Sequence, residues 1–193
     1  MHSRRELEAI ILSEIKHCQA DHKGHEDSFV ELKRELPDPP KAARRIAALC
    51  NSAHGAEAIW ILGVDNKSGT VIGLQSTEIA DWWAQVVKHF DEEKPDMVHV
   101  VVHADNSLPV IGMFFTTDRA PFVIKIEGGV AQLEVPWREG TLTRSARRHE
   151  LMRILGPIIL QPDVRILELT VSASRNGRIP AFESEHPGLN RPV

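Results

Sequence analysis

A chain of 193 residues with 42% hydrophobic content is long enough to bury a core, and its length suits one domain with elaborations better than two full ones. Its formal charge of -4 excludes a surface coated in positive charge, so any site for a polyanion has to be local. The two cysteines, Cys18 and Cys50, exclude a disulfide framework or a four-cysteine zinc site and read as reduced thiols; with no secretory pattern at the start and no membrane-length apolar run, the expectation is a cytoplasmic protein with no membrane partner.

Ser3 followed by Glu6 has the spacing of a capping box, and Leu7, Ile10, Ile11, Ile15 and Cys18 recur on one face, which predicts a helix from about residue 4 to 18. A polar loop over 19–25 leads into a strand in which Phe29, Glu31 and Lys33 alternate with Val30 and Leu32, so Glu31 and Lys33 share a face. Pro37, Asp38, Pro39 and Pro40 break that strand and open an alanine-rich helix running to about Cys50. The apolar run 58–64 and the turn Asp65-Asn66-Lys67-Ser68-Gly69 predict a central hairpin with 70–74 as its second strand. A helix headed by Thr77 follows, with Ile79, Trp82, Trp83, Val86, Val87 and Phe90 on its periodic face and Pro95 as its stop.

Val98, Val100 and Val102 alternate with His99 and His103, and Pro109 to Thr116 supplies the antiparallel partner. Short strands around 122–126 and 130–135 flank the turn Glu127-Gly128-Gly129. From Arg138 onward a glycine turn, hydroxyl caps and a basic helix are expected, with five arginines (Arg138, Arg144, Arg147, Arg148 and Arg153) in sixteen residues. A strand-like run over 164–171 precedes a tail rich in Pro, Gly, Arg and Asn, which composition assigns to a poorly ordered end or a partner-binding arm.

Four blocks then stand in a telling order: Glu26, Ser28, Val30, Glu31 and Lys33; Ala48, Asn51, Ser52 and Gly55; Gly63, Val64, Asp65, Gly69, Gly73 and Leu74; Arg138, Gly140 and Thr141. In this the chain resembles the Schlafen AlbA-type domain family, whose pattern is Glu-Ser-x-x-Val-Glu-Phe-Lys, Ala-Phe-Ala-Asn-Thr-x-Gly-Gly, Gly-Val-Asp-Asp-x-Gly with a later Gly-Leu, and Arg-x-Gly-Ser/Thr. The resemblance covers roughly residues 24–150. It implies an α+β fold, with a mixed, mostly antiparallel sheet flanked by helices, and a division into an N-terminal helix and loop (1–23), the Schlafen AlbA-like domain (24–155) and a C-terminal strand and tail (156–193). It also implies nucleic-acid binding, and in some members a metal-dependent endoribonuclease acting on structured RNA such as transfer RNA. Those members use two glutamates of the acidic strand and one aspartate of the Gly-Val block. Glu26 and Glu31 fall on the glutamate positions, while after Gly-Val, where the family commonly writes two acids, this chain has Asp65 followed by Asn66.

Three functions follow from these residues. A binding protein would hold RNA or DNA phosphate with Arg138, Arg144, Arg147 and Arg148, because guanidinium forks grip phosphate bidentately; Arg44 and Arg45 are weaker candidates. An enzyme would add Glu26, Glu31 and Asp65 as ligands of Mg²⁺ or Mn²⁺, with Lys33 neutralising phosphate charge or pairing with a glutamate. An interaction module would use exposed ends and the two tryptophans of the third helix for self-association, as a homo-oligomer, or for partner docking. Against the sharper chemistry, Glu31 paired with Lys33 or an arginine and Asp65 capping a turn would explain the acids structurally, and a solvated helix face balanced by Glu139 and Glu150 would explain the arginines. His17, Cys18, His22 and His25 match no strong zinc spacing, His99 and His103 read as residues of a half-exposed sheet, and Gly63, Gly69 and Gly73 lack the lysine and hydroxyl of a phosphate loop.

Overall fold

The computed structural model describes residues 3–20, 29–53, 55–74, 78–104, 107–126, 128 and 132–156, all within the unit Met1–Pro157. Glu26, His22, His25, the run 164–171 and the polar tail lie outside the described residues.

Helix α1 (Arg4–Ala20) starts as its capping box dictates: the Glu6 amide donates to Ser3 Oγ (3.4 Å) and the Ser3 amide donates to the Glu6 carboxylate (2.6 Å). Its Leu7, Ile11 and Ile15 are buried against Ile59, Ile61, Val100, Val102 and Val110. These belong to a four-stranded sheet in the order β1 (Val30–Lys33), β2 (Ala58–Leu62), β5 (Pro109–Phe115), β4 (Met97–His103), in which β1 and β2 are parallel and the other pairs antiparallel. Gly112 on β5 lets α1 sit close, since a Cβ there would collide with the side chain of Ile11.

The opposite face of the sheet, with Trp60, Leu62, Met113 and Phe115, packs on α2 (Pro39–Ala53) and α3 (Ile79–Val87). Alanines at 42, 43, 47 and 53 give α2 a smooth buried face. Trp82 is buried and donates its Nε1–H to the Pro37 carbonyl (2.9 Å), and Trp83 packs on Phe90 and Phe115. Trp82 thus serves the core, and Trp83 packs against it half-buried.

The remaining strands form two smaller groups: β3 (Phe90–Asp91), β6 (Val123–Lys125) and β7 (Leu133–Glu134) in a three-stranded sheet, and β8 (Pro136–Glu139) with β9 (Leu142–Ser145) as a hairpin leading to α4 (Arg148–Leu155). The class is α+β, with helices flanking a mixed and mostly antiparallel set of strands. No described helix is long and apolar enough to cross a membrane.

Three local expectations change. The antiparallel partner of β2 is β5, and 64–71 forms only an isolated bridge between Val64 and Val71. Gly63, at φ +89, turns the chain out of the sheet, and the returning segment closes on that turn: the amides of Ile72 and Gly73 donate to the Gly63 carbonyl (2.9 and 3.0 Å) and the Leu74 amide donates to the Pro109 carbonyl (2.8 Å). Helix α3 stops at Val87, because Phe90 gains a strand partner in Ile124 and buries its ring. The stretch from Arg138 is a hairpin before it is a helix, with Gly140 at φ +58 making its turn.

Candidate functional site

Parallel pairing of β1 with β2 sets Glu31 opposite Trp60 and Lys33 opposite Leu62, so both charged side chains face α2 and the hairpin rather than α1. The Glu31 carboxylate divides its oxygens: Oε1 meets Lys33 Nζ at 2.5 Å and Oε2 accepts from Arg138 Nη1 at 3.1 Å. Arg138 also donates from Nε to the Gly140 carbonyl (2.8 Å), and Lys33 Nζ lies 6.0 Å from the Trp60 ring centroid. With side chains 15–18% exposed, this cluster clamps the hairpin onto the parallel strand.

In the hairpin register, Trp137, Glu139, Leu142 and Arg144 share one face, and Arg138, Thr143 and Ser145 the other. Arg144 donates bidentately to Glu150 (2.7 and 2.6 Å) and from Nε to Glu139 (2.7 Å). Glu150 also accepts the Arg147 amide at the start of α4 (2.7 Å). The Arg144 hydrogen bonds and the Arg147 amide outweigh desolvation and hold the Glu150 carboxyl down to about 2, while the same pairing raises Arg144. On the other face Arg44 of α2 grips Glu134 (both bonds 2.9 Å) and reaches the Thr143 carbonyl (3.3 Å), and Ser145 Oγ donates to Glu134 (2.7 Å). The Arg44 bond leads the downward shift of the Glu134 carboxyl against its burial.

The arginines thus divide. Arg138 and Arg144 are tied to carboxylates, whereas Arg147 is 59% exposed and 3.7 Å from Glu139, and Arg148 is exposed with no ion pair among the described residues. Lys41, Arg44 and Arg45 stand at i, i+3 and i+4 on α2, which carries no acid. Arg44 joins that stripe to the hairpin, so the outward cations of α2 lie on a helix pinned to β9.

Asp65 caps its turn. Its Oδ1 accepts from the amides of Lys67 and Ser68 (3.0 Å each) and from Ser68 Oγ (3.1 Å), and Oδ2 meets Arg34 at 3.2 Å. The backbone bonds, ahead of Arg34, pull its carboxyl below the ordinary value. Asn66 sits exposed in the same turn. The oxygens of Glu31 and Asp65 are therefore taken by cations and donors, and among the described residues no three His, Cys, Asp or Glu side chains gather as a metal-holding group. Glu26, the third acid of the expected Mg²⁺ or Mn²⁺ set, lies outside the described residues. Cys18 and Cys50 are buried and burial raises both thiols, which makes them poor nucleophiles.

Asn51, legible in the sequence only as part of a pattern, is fully buried and joins three segments: its Nδ2 donates to the carbonyls of Phe122 and Pro136 (2.9 Å each), and its Oδ1 accepts the Phe122 amide (2.7 Å). Glu134 and its bond to Arg44 carry no local signal, because the partners are 90 residues apart.

Fold and site together define an α+β domain whose hairpin and basic helix are fastened to a parallel strand pair by arginine–carboxylate clamps. No protein-family model matches the chain. No curated protein matches it either. Among solved structures it is similar to the DIP2311 protein of Corynebacterium diphtheriae, at 19% identity and a TM-score of 0.48, over 79% of this chain and 29% of that one. The chain spans less than a third of that protein's length.

Proposed function

We propose that this chain binds nucleic acid, RNA or DNA, by its phosphates, in the manner its resemblance to Schlafen AlbA-type domains implies. The observation that carries the reading is the local excess of outward cations on an acidic chain: Arg147 and Arg148 at the start of α4, with Lys41 and Arg45 on the acid-free α2. Such side chains deliver the counterion-release free energy of phosphate binding without first breaking a strong internal pair. Arg138 and Arg144 act differently in this scheme. They hold the hairpin and α4 in place, so that the exposed cations sit on a rigid frame.

The test is a salt titration of binding to labelled transfer RNA and to duplex DNA, comparing the parent with Arg147→Ala/Arg148→Ala and Lys41→Ala/Arg45→Ala. Binding that weakens steeply with salt, and a slope made shallower by roughly one per phosphate contact removed, would support the reading. No binding of either polymer at low salt would sink it. The same incubation with Mn²⁺ tests the endoribonuclease alternative, in which RNA would be cut by the parent and spared by Glu31→Ala.

A further inference from the structure

The two edges of the four-stranded sheet are treated differently. At one edge, β1 is four residues long and carries Glu31 and Lys33, which are ordinary defences against pairing with another chain. At the other edge, β4 has seven residues, Met-Val-His-Val-Val-Val-His, with no proline and no Lys, Arg, Asp or Glu. It pairs with β5 in unbroken register from Met97 to His103, with no bulge to twist it away. Val98 is 52% exposed and Val101 41% exposed, and among the described residues no strand lies on the far side of β4.

The phase of the β4–β5 ladder fixes which backbone groups face that free edge. Thr116 N–H donates to the Asp96 carbonyl and Ala104 N–H to the Leu108 carbonyl, so the even-numbered residues bond to β5. The odd-numbered ones, Met97, His99, Val101 and His103, direct their N–H and C=O outward. Their side chains read the same in both directions about Val101, since His99-Val100-Val101-Val102-His103 is a palindrome. A second copy running antiparallel would set Val101 against Val101, His99 against His103 and Val100 against Val102, so that the outward groups of His99, Val101 and His103 would meet their complements.

We propose that β4 is a self-pairing edge, through which two copies of this chain join antiparallel about Val101 into one continuous eight-stranded sheet. The two-fold axis stands perpendicular to the sheet, so both α1 helices lie on one face and both sets of α2 and α3 on the other. On the α3 face, Val101 lies in a groove of about 490 Å³ with Leu74, Ile79, Pro109 and Ile111, to which Glu78 and His99 add polar groups. The dyad brings the two grooves together along the seam. A second copy suits this edge because the palindrome, run antiparallel, sets valine against valine and imidazole against imidazole along the seam.

The test is the mass of the full chain by light scattering after size separation, over a range of concentrations, for the parent, Val101→Lys, Val101→Glu and their mixture. The parent should run as a dimer, each variant alone at half that mass, and the mixture as a dimer again, because opposite charges then meet at the axis. Val101→Pro is the third variant: it removes an N–H that β5 does not use, so it should give a monomer with an unchanged circular dichroism spectrum. In hydrogen exchange the amides of His99, Val101 and His103 should exchange at least tenfold faster in Val101→Lys than in the parent. A parent that stays monomeric at every concentration overturns the proposal, and protection of those amides in that monomer would mean that the chain's own residues cover the edge. A dimer untouched by both the lysine and the proline, or a mixture that fails to re-form a dimer, overturns the register.

Discussion

Arg138 and Glu31 stand 107 residues apart in the chain, yet the guanidinium donates to the carboxylate at 3.1 Å while Lys33 holds the other carboxylate oxygen. The pair joins the acidic strand to the Arg-x-Gly-Thr turn. Two of the sequence blocks that carry the family resemblance thus meet in a single ion cluster.

Removing Glu31 leaves Arg138 and Lys33, only 15% and 18% exposed, with no counter-charge among the described residues. Glu31→Gln should therefore lower stability by about 2 kcal/mol, between the values for exposed and buried pairs. A double-mutant cycle with Arg138→Gln should give a coupling on the order of 1–2 kcal/mol in urea denaturation. A coupling near zero would show that the clamp contributes nothing and return Glu31 to consideration as a chemical group.

Asn51 should be more sensitive than any surface arginine. Asn51→Ala leaves the Phe122 amide and the carbonyls of Phe122 and Pro136 without their partner in a fully buried place, where each orphaned group costs about 1–3 kcal/mol. A loss of about 3 kcal/mol or more, seen as a lowered urea midpoint with an unchanged slope, is expected. Asn51→Asp should fail as well, because a carboxylate cannot donate to the two carbonyls. Stability within 1 kcal/mol of the parent for both would refute the role.

Much of this frame was legible because its signals are local. The Ser3/Glu6 box, the i, i+3, i+4 pattern of α1 and the alternation of β1 and β4 each lie within a few residues, and each appears where its pattern puts it. What was not legible is decided across the fold. Phe90 continues the helical period of α3 but is claimed by Ile124, and residues 70–74 follow a turn sequence yet lose β2 to β5. The same holds for the site. Sequence places Arg138 and Arg144 among the other arginines of a charged run, and only tertiary distances show that their charges are spent on Glu31, Glu139 and Glu150 while Arg147 and Arg148 point outward.

Acid should loosen the hairpin and α4 before the rest. Glu150 has an ordinary value of 4.5 and a folded one of about 2, and Glu134, Glu139 and Asp65 shift in the same downward direction. A carboxyl depressed on folding contributes stability that is complete above its unfolded value and fades as pH falls toward the folded one. Urea midpoints should accordingly stay level near neutrality and decline from about pH 5 toward pH 2. Glu150→Gln should be less stable at pH 7 and show a shallower decline over that window. An equal slope in parent and variant would remove Glu150 from the account.

Gly63 offers the sharpest backbone test. Its φ of +89 lies in the left-handed region, and a Cβ would stand 3.0 Å from the Gly73 carbonyl carbon, 3.1 Å from the Leu74 nitrogen and 3.3 Å from the Pro109 oxygen. Those neighbours are backbone and cannot swing aside, and the Gly63 carbonyl accepts from the amides of Ile72 and Gly73 (2.9 and 3.0 Å). Gly63→Ala should cost roughly 2–3 kcal/mol from strain and crowding together. Gly128→Ala is the control: at φ +81 it carries the same backbone strain but meets nothing within 4 Å, so it should cost only about 1 kcal/mol. Equal losses at the two glycines, read from thermal midpoints, would mean that crowding at Gly63 is relieved and that the turn out of β2 is not held by close backbone contact.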